Sequence, residues 1–197
     1  MSAEILYWSM LRDSQWTFYI AATAQGLCFV GSPGQHVDEL AAWSKKRFPD
    51  YMLVRDEQAM QPYINELTAY LNGERTEFSC PVHLYGTPFQ LAVWHALRDI
   101  PYGRTCSYSD IAERIENPEA VRAVGAAIGS NPLLIIIPCH RVVGKNGSLT
   151  GYRGGLEMKK ICLSWKKQFR CAEWLKRTPF ERNERCLQPQ SIGSFII

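Results

Sequence analysis

The sequence predicts an α/β first half joined to a mainly α-helical second half that carries a helix-turn-helix. Two observations predict it. Residues 4–31 alternate in short apolar runs, as half-buried strands do. From residue 89 onward the apolar residues fall at helical spacing, punctuated by Pro and Gly. With 197 residues, 46% hydrophobic and 21% charged, the chain is long enough to bury a real core, as one domain or two small ones.

Residues 16–20 and 27–30 read as paired strands around Gly26. Residues 37–47 read as an amphipathic helix with Leu40, Ala41 and Trp43 on its apolar side. Residues 61–71 read as a second helix, carrying Tyr63, Ile64, Leu67, Tyr70 and Leu71 at helical spacing and ending at Asn72-Gly73. Residues 73–88, with Gly, Pro and polar side chains, are the expected linker. Residues 89–98 form a helix stopped by Ile100-Pro101 and a turn at Tyr102-Gly103. Ser109 is the expected N-cap of the next helix, with Asp110 in its first turn and an end near Ile115. Pro118 opens a third helix running to Gly129. The last two, joined by a brief turn, form the helix-turn-helix candidate, although helical hairpins are common. The expected division is residues 1–80, residues 81–165 and a basic tail over 166–197.

The net charge of +3 conceals an asymmetry. Residues 1–158 carry 13 basic and 16 acidic side chains, and residues 159–197 carry nine basic and three acidic. Strong nonspecific nucleic-acid binding needs many phosphate-neutralising Lys and Arg, so charge alone does not point to DNA. No apolar run reaches membrane-span length, and Met1-Ser2-Ala3-Glu4 lacks the features of a signal peptide, so a cytoplasmic protein is expected. The seven cysteines, irregularly spaced and without a CxxC pair, read as reduced thiols. Cys28, His36, Cys80 and His83 could converge on a metal, but no local zinc signature supports it, and no metal is expected.

Leu133 to Ile137 is the most apolar run and reads as a buried strand. Pro138-Cys139-His140-Arg141-Val142 follows, placing a thiol beside an imidazole where that run stops. The thiolate is the nucleophilic form of cysteine, and an adjacent base is the usual means of producing it. A buried Cys acting as a small hydrophobe next to a solvated His is the alternative.

Together with Asn131-Pro132 upstream and Gly151-Tyr152-Arg153-Gly154-Gly155-Leu156 downstream, this pentapeptide closely resembles the O6-alkylguanine-DNA alkyltransferase family. Pro101-Tyr102-Gly103, Ser107-Tyr108, Ile111-Ala112 and Ala120-Val121-Arg122-Ala123-Val124-Gly125 extend the match in order, so it covers about residues 89–156. The resemblance implies a ribonuclease-H-like small sheet with helices in the first half and a winged-helix-like second half. It implies irreversible transfer of an alkyl group from O6 of guanine (possibly also O4 of thymine) to Cys139, once per molecule and without a cofactor. The partner would be double-stranded DNA, entered from the minor groove by a monomer.

The same resemblance assigns residues. His140 would take the thiol proton through a water, and Tyr108 would donate to N3 of the flipped base. Arg122 would fill the gap left in the stack. Ala123, Gly125, Ala126 and Ala127, nearly free of side chain, would approach the groove, although such a face equally suits close helix packing. Asn131 would brace the turn before the acceptor strand. Carbonyls of Cys139 and Val142 would accept the guanine amino group, and backbone amides of Tyr152 and Arg153 would face O6. Without the resemblance, Tyr108 reads as an exposed turn aromatic, Arg122 as a helix-surface cation and Asn131 as an ordinary helix end.

The chain departs from the family after Cys162. The family's Glu that hydrogen-bonds the catalytic His should fall near position 166, where this chain has Lys166, and Glu173 lies about two turns too far along. Glu157, Glu173 or a backbone carbonyl are the replacement acceptors to consider. Reading from the last base of the Trp165 codon gives GAA, a Glu codon, as expected if the tail after about Cys162 is a shifted reading of the family's C-terminal helix, a hypothesis that the coding DNA tests. Two rival functions follow: a non-enzymatic alkylated-DNA-binding protein or weakened transferase, and an unrelated Cys-His hydrolase, for which no orienting third residue is evident beyond Asn131.

Overall fold

The computed structural model describes residues 4–164. The first half is a four-stranded sheet of order β3-β2-β1-β4, built from β1 (Glu4–Arg12), β2 (Thr17–Thr23), β3 (Gly26–Val30) and β4 (Tyr51–Arg55). β1, β2 and β3 pair antiparallel in succession, whereas β4 returns parallel to β1 after the helix α1 (Asp38–Arg47). Alternation along β2 explains the layers. Phe18, Ile20 and Ala22 enter one core with Met60, Leu67 and Tyr70 of α2 (Glu57–Leu71), and Ala21 enters the other with Leu40 of α1.

The expected helix 37–47 forms, but Ala41 is exposed and Ser44 takes the buried place, donating its hydroxyl to the Ala41 carbonyl. The second helix starts four residues earlier than its apolar spacing suggests. Asp56 caps it by accepting from the Ala59 amide, and Pro62 is accommodated inside. β4 was not expected, because its five residues are bracketed by charge and show weak alternation.

The linker is ordered. Leu27 donates to the Pro81 carbonyl and His83 donates to the Leu27 carbonyl, so residues 81–83 run beside β3 as a short parallel bridge. Gly26 makes this possible: at φ +139° it holds a conformation side chains rarely adopt, and a Cβ there would lie 2.5 Å from the Pro81 oxygen.

The second half contains α3 (Pro88–Arg98), α4 (Tyr108–Arg114), α5 (Val121–Gly129), α6 (Leu156–Ser164) and a two-residue parallel pair, β5 (Cys106–Ser107) with β6 (Val142–Val143). α3 opens with a capping box between Thr87 and Gln90. The cap of α4 is Ser107, not Ser109: the Ser107 hydroxyl accepts from the Asp110 amide while the Asp110 carboxylate accepts from the Ser107 amide. Tyr108 is thereby the first residue of α4. Pro118–Ala120 forms a 3-10 turn leading into α5. Trp94, fully buried, donates its indole N–H to the Ala127 carbonyl at 2.8 Å and locks α3 to α5.

Residues 133–137 are not a strand. Only Leu133 bridges to β3, at Val30, and the chain then coils, with Ile136 donating to Leu134 and Ile137 to Leu133. Ile135 takes the left-handed φ of +72°, unusual for a β-branched residue. The whole run is buried, so its apolar character reflects burial on all sides and not a sheet. The main core is continuous from the sheet face under α2 through Trp94, Ile111 and Val124 to this run.

Gly26→Ala is expected to lower unfolding free energy by about 3 kcal/mol, since it combines a disfavoured φ with a clash against main chain. Urea denaturation checks it. A loss below about 1 kcal/mol would mean the linker can shift away from β3.

Candidate active site

Cys139 opens a 3-10 turn, Cys139–Arg141, immediately after Pro138. Its amide donates to the Ile137 carbonyl at 2.7 Å, and its Sγ accepts a hydrogen bond from the Asn131 side chain at 3.1 Å. Asn131, 1% exposed, uses its whole amide. Nδ2 also donates to the carbonyls of Ile137 (3.1 Å) and Leu133 (3.3 Å), and Oδ1 accepts from the Leu133 amide (2.9 Å). A helix-ending Asn-Pro accounts for none of these bonds. Asn131 ties the end of α5 to the thiol.

Arg141 is buried and structural. Its guanidinium donates to the Ile100 carbonyl at 2.5 Å and the Tyr70 hydroxyl at 3.2 Å, and it lies 5.4 Å from the Tyr102 ring centroid. The turn bearing the thiol is thus stapled to α2 and to the Pro101 corner. His140 is buried edge-on to Tyr152, with ring centroids 6.4 Å apart.

A cleft of about 490 Å³ ends at Cys139, lined also by Tyr108, Gly125, Ile128, Gly129, Gly151, Tyr152 and Arg153. Sequence spacing separates these residues widely; the fold joins the first turn of α4, the small face of α5 and the loop before α6. Thr150 donates to the Tyr108 oxygen at 3.0 Å, which leaves the phenolic hydrogen to be directed into the cleft. Arg122, Ala123 and Ala126 are exposed on α5, whereas Ala127 is buried under the Trp94 contact and does not belong to the exposed face. Val142 is buried in β6 behind the thiol.

Burial pushes the Cys139 thiol pKa up. The Asn131 hydrogen bond and the positive charges of Arg153 and Lys159 pull it the other way. Burial, with Cys139 next, holds the Tyr152 hydroxyl well above its ordinary pKa. Lys159 is the residue sequence reading missed. It is 0% exposed in α6, donates Nζ to the Thr150 carbonyl at 2.8 Å, and burial lowers its pKa to about 8, opposed by the Cys139 charge. The available signal was its place among Met158, Cys162 and Leu163, the buried stripe of α6. Glu39 and the side chain of Arg153 were missed as well; they meet at 2.9 Å.

Among the described residues no three His, Cys, Asp or Glu side chains gather as a metal site. Cys28 donates instead to the Ala21 carbonyl, and His83 pairs with Thr23. Cys28, Cys80, Cys139 and Cys162 are unbridged thiols. Glu157, one of the acceptors considered for His140, is exposed. Lys166, Glu173 and the tail over 166–197 lie outside the described residues. No described helix is long and apolar enough to cross a membrane.

The two halves of the chain match two family profiles. Residues 6–84 match the ribonuclease-like domain of 6-O-methylguanine DNA methyltransferase, and residues 88–168 match its DNA binding domain. The chain is 60% identical over 163 residues to the inducible methylated-DNA–protein-cysteine methyltransferase of Bacillus subtilis, covering 83% of this chain and 91% of that one. It is 39% identical over 158 residues to the corresponding protein of Methanosarcina acetivorans, covering 80% and 96%. Its fold superposes on a Mycobacterium tuberculosis OGT crystallised with DNA at TM-score 0.71 and 38% identity, covering 82% and 93%. A ribonuclease-like half followed by a DNA-binding half is the order of domains those profiles define. The chain belongs to the 6-O-methylguanine DNA methyltransferase family.

Asn131→Ala should cost about 3 kcal/mol of stability, because it strips partners from buried backbone groups. It should also raise the pH at which Cys139 reacts with a haloacetamide, since a hydrogen bond to the thiolate is lost. An unmoved pH midpoint would show that the Asn131–Sγ contact does not act on the thiol.

Proposed function

We propose that this protein repairs DNA by accepting the alkyl group of O6-alkylguanine on Cys139, irreversibly and once per molecule. The observation that carries the reading is the Cys139 thiol at the end of the cleft, held by Asn131 and flanked by Tyr108. The Cys139 sulfur forms a bond to the alkyl carbon as the bond from that carbon to O6 breaks. The electron pair passes to O6 and into the purine ring, where the Tyr108 hydroxyl donates to N3. His140 takes the thiol proton through a water, and the Lys159 ammonium favours the thiolate. The base leaves as a guanine anion and takes one proton, which the imidazolium returns through water, so the products are an S-alkyl cysteine and an unmodified guanine, with no cofactor consumed.

A base stacked in a duplex cannot reach Cys139, so the nucleotide is rotated out and Arg122, exposed on α5, fills the gap. The small residues Ala123, Gly125 and Ala126 let α5 lie close to the minor groove. Gly125 faces Tyr108, where a Cβ would sit 3.8 Å from the ring, and at Gly129 a Cβ would meet nothing within 4 Å. Carbonyls of Cys139 and Val142, with amides of Tyr152 and Arg153, recognise the guanine edge. Residues 88–164 carry the chemistry and residues 4–84 support them, in a cytoplasmic protein with access to DNA.

Incubation with O6-methylguanine duplex and mass measurement of the Cys139 peptide tests this. A permanent gain of one methyl is expected, abolished in Cys139→Ser with DNA binding retained. Binding without mass gain would mark a binding-only protein, and turnover of esters a hydrolase.

Arg122→Ala should slow repair of duplex far more than reaction with free alkylated base, because only the duplex requires flipping, at a cost of a few kcal/mol. Equal losses on both would assign Arg122 to folding or to the pocket.

Transfer should accelerate with rising pH, since burial favours the protonated thiol and deprotonation is part of the step. The gain should level off above about 8, where Lys159 gives up its charge. A Lys159→Met protein should be slower below that pH and lack the levelling; an identical profile would remove Lys159 from the mechanism.

A further inference from the structure

The Arg153 guanidinium sits where three parts of the chain meet. Nε donates to the Asn131 carbonyl at 3.1 Å, and one terminal nitrogen donates to the carbonyls of Val30 (2.6 Å) and Pro132 (3.1 Å). The other terminal nitrogen pairs with Glu39 Oε1 at 2.9 Å. The Phe29 ring lies against the same guanidinium, 5.5 Å from its centroid. Glu39, on α1, is itself fixed: the Ser32 amide and hydroxyl donate to its two oxygens, each at 2.8 Å.

The Glu39 and Arg153 side chains are 28% and 21% exposed. The pair is therefore better shielded than a surface ion pair, and both members are over-determined by further hydrogen bonds. Such a pair is directional where an apolar contact is not. If the halves needed only adhesion, the continuous apolar core would supply it. The pair instead ends at two functional places: Arg153 lines the cleft, and Asn131, whose carbonyl the guanidinium holds, donates from its side chain to the Cys139 sulfur. Three successive contacts, Glu39 to Arg153, Arg153 to Asn131, and Asn131 to Cys139, connect α1 of the sheet half to the nucleophile.

We propose that Glu39 is a positioning residue for alkyl transfer: through Arg153 it fixes the 151–155 loop beside the cleft and the end of α5 that holds the thiol. The sheet half thereby takes part in chemistry performed by the helical half. Without Glu39, Arg153 would keep its carbonyls but lose its counter-charge, and the loop would gain freedom at the place where the base must be held. The inference rests on Cys139 being the alkyl acceptor, and the experiment separates the two.

Wild type, Glu39→Ala and Glu39→Gln are compared at a temperature where circular dichroism shows all three folded. The Kd for O6-methylguanine duplex and the first-order transfer rate constant at saturation are measured separately, with the same rates taken on free O6-methylguanine. Glu39→Ala should leave Kd within about twofold and slow transfer by about tenfold on duplex and free base alike, the scale of effect expected from a small misplacement. Glu39→Gln, which keeps an acceptor for Arg153, should recover most of the rate. An unchanged rate constant in Glu39→Ala, or a loss confined to Kd, overturns the proposal. Wild type that gains no methyl on Cys139 overturns the acceptor reading instead.

Discussion

A chain that coils through an all-apolar segment must find partners for its main-chain polar groups away from water, and one side-chain amide joins the main chain in meeting that requirement here. Asn131 accepts from the Leu133 amide and donates to the Leu133 and Ile137 carbonyls. Without it, the buried Leu133 amide would lose its acceptor, and the Leu133 and Ile137 carbonyls would keep only their main-chain donors. The same amide reaches the Cys139 sulfur. The geometry of the backbone and the state of the thiol therefore answer to one residue, and α5, which ends two residues before Asn131, is fixed relative to both.

Positive charge is placed around this point in two forms. Arg141 and Arg153 are spread over carbonyls and rings and serve as braces, while Lys159 is a compact ammonium that donates to the Thr150 carbonyl. This division follows from chemistry: a planar guanidinium satisfies several acceptors at fixed angles, and an ammonium acts as a point charge whose pKa shifts readily on burial. The mildly acidic surface of residues 1–158 is compatible with this arrangement, because the cations that matter to the thiol are interior or half-buried.

Much of the fold and of the site was legible in the sequence, and the failures have physical causes. Two-residue alternation found the β2–β3 hairpin, and helical spacing with Pro and Gly breaks found α3 and α5, because those patterns report one-sided burial. β4 escaped because it is a short edge strand with exposed Met52 and Arg55. The run 133–137 was misread as a strand because apolar composition reports burial but not backbone shape, and only a tertiary context can hold Ile135 at its observed φ. Ser109 was read as a cap from its residue type alone; Asp110, three positions after Ser107, closes the capping box that puts the cap at Ser107. Motif residues located Cys139, Tyr108 and Asn131 together; Glu39 and Lys159 carry no motif, and their roles arise from contacts across 114 residues in one case and from burial in the other.

Ile135 has a consequence beyond its own strain. A left-handed conformation costs a β-branched residue about 1–3 kcal/mol, and the burial of its side chain is of comparable size. An unfolded or partly folded chain has the cost without the compensation, so it leaves that conformation, and Asn131 and Cys139 drift apart. The thiol held by Asn131 at the cleft is then not a property of the peptide around Cys139 at all. It exists only in molecules whose core has closed, so a nascent, cleaved or partly denatured copy carries an ordinary cysteine. Counting alkylated molecules after exposure to damaged DNA therefore counts correctly folded ones.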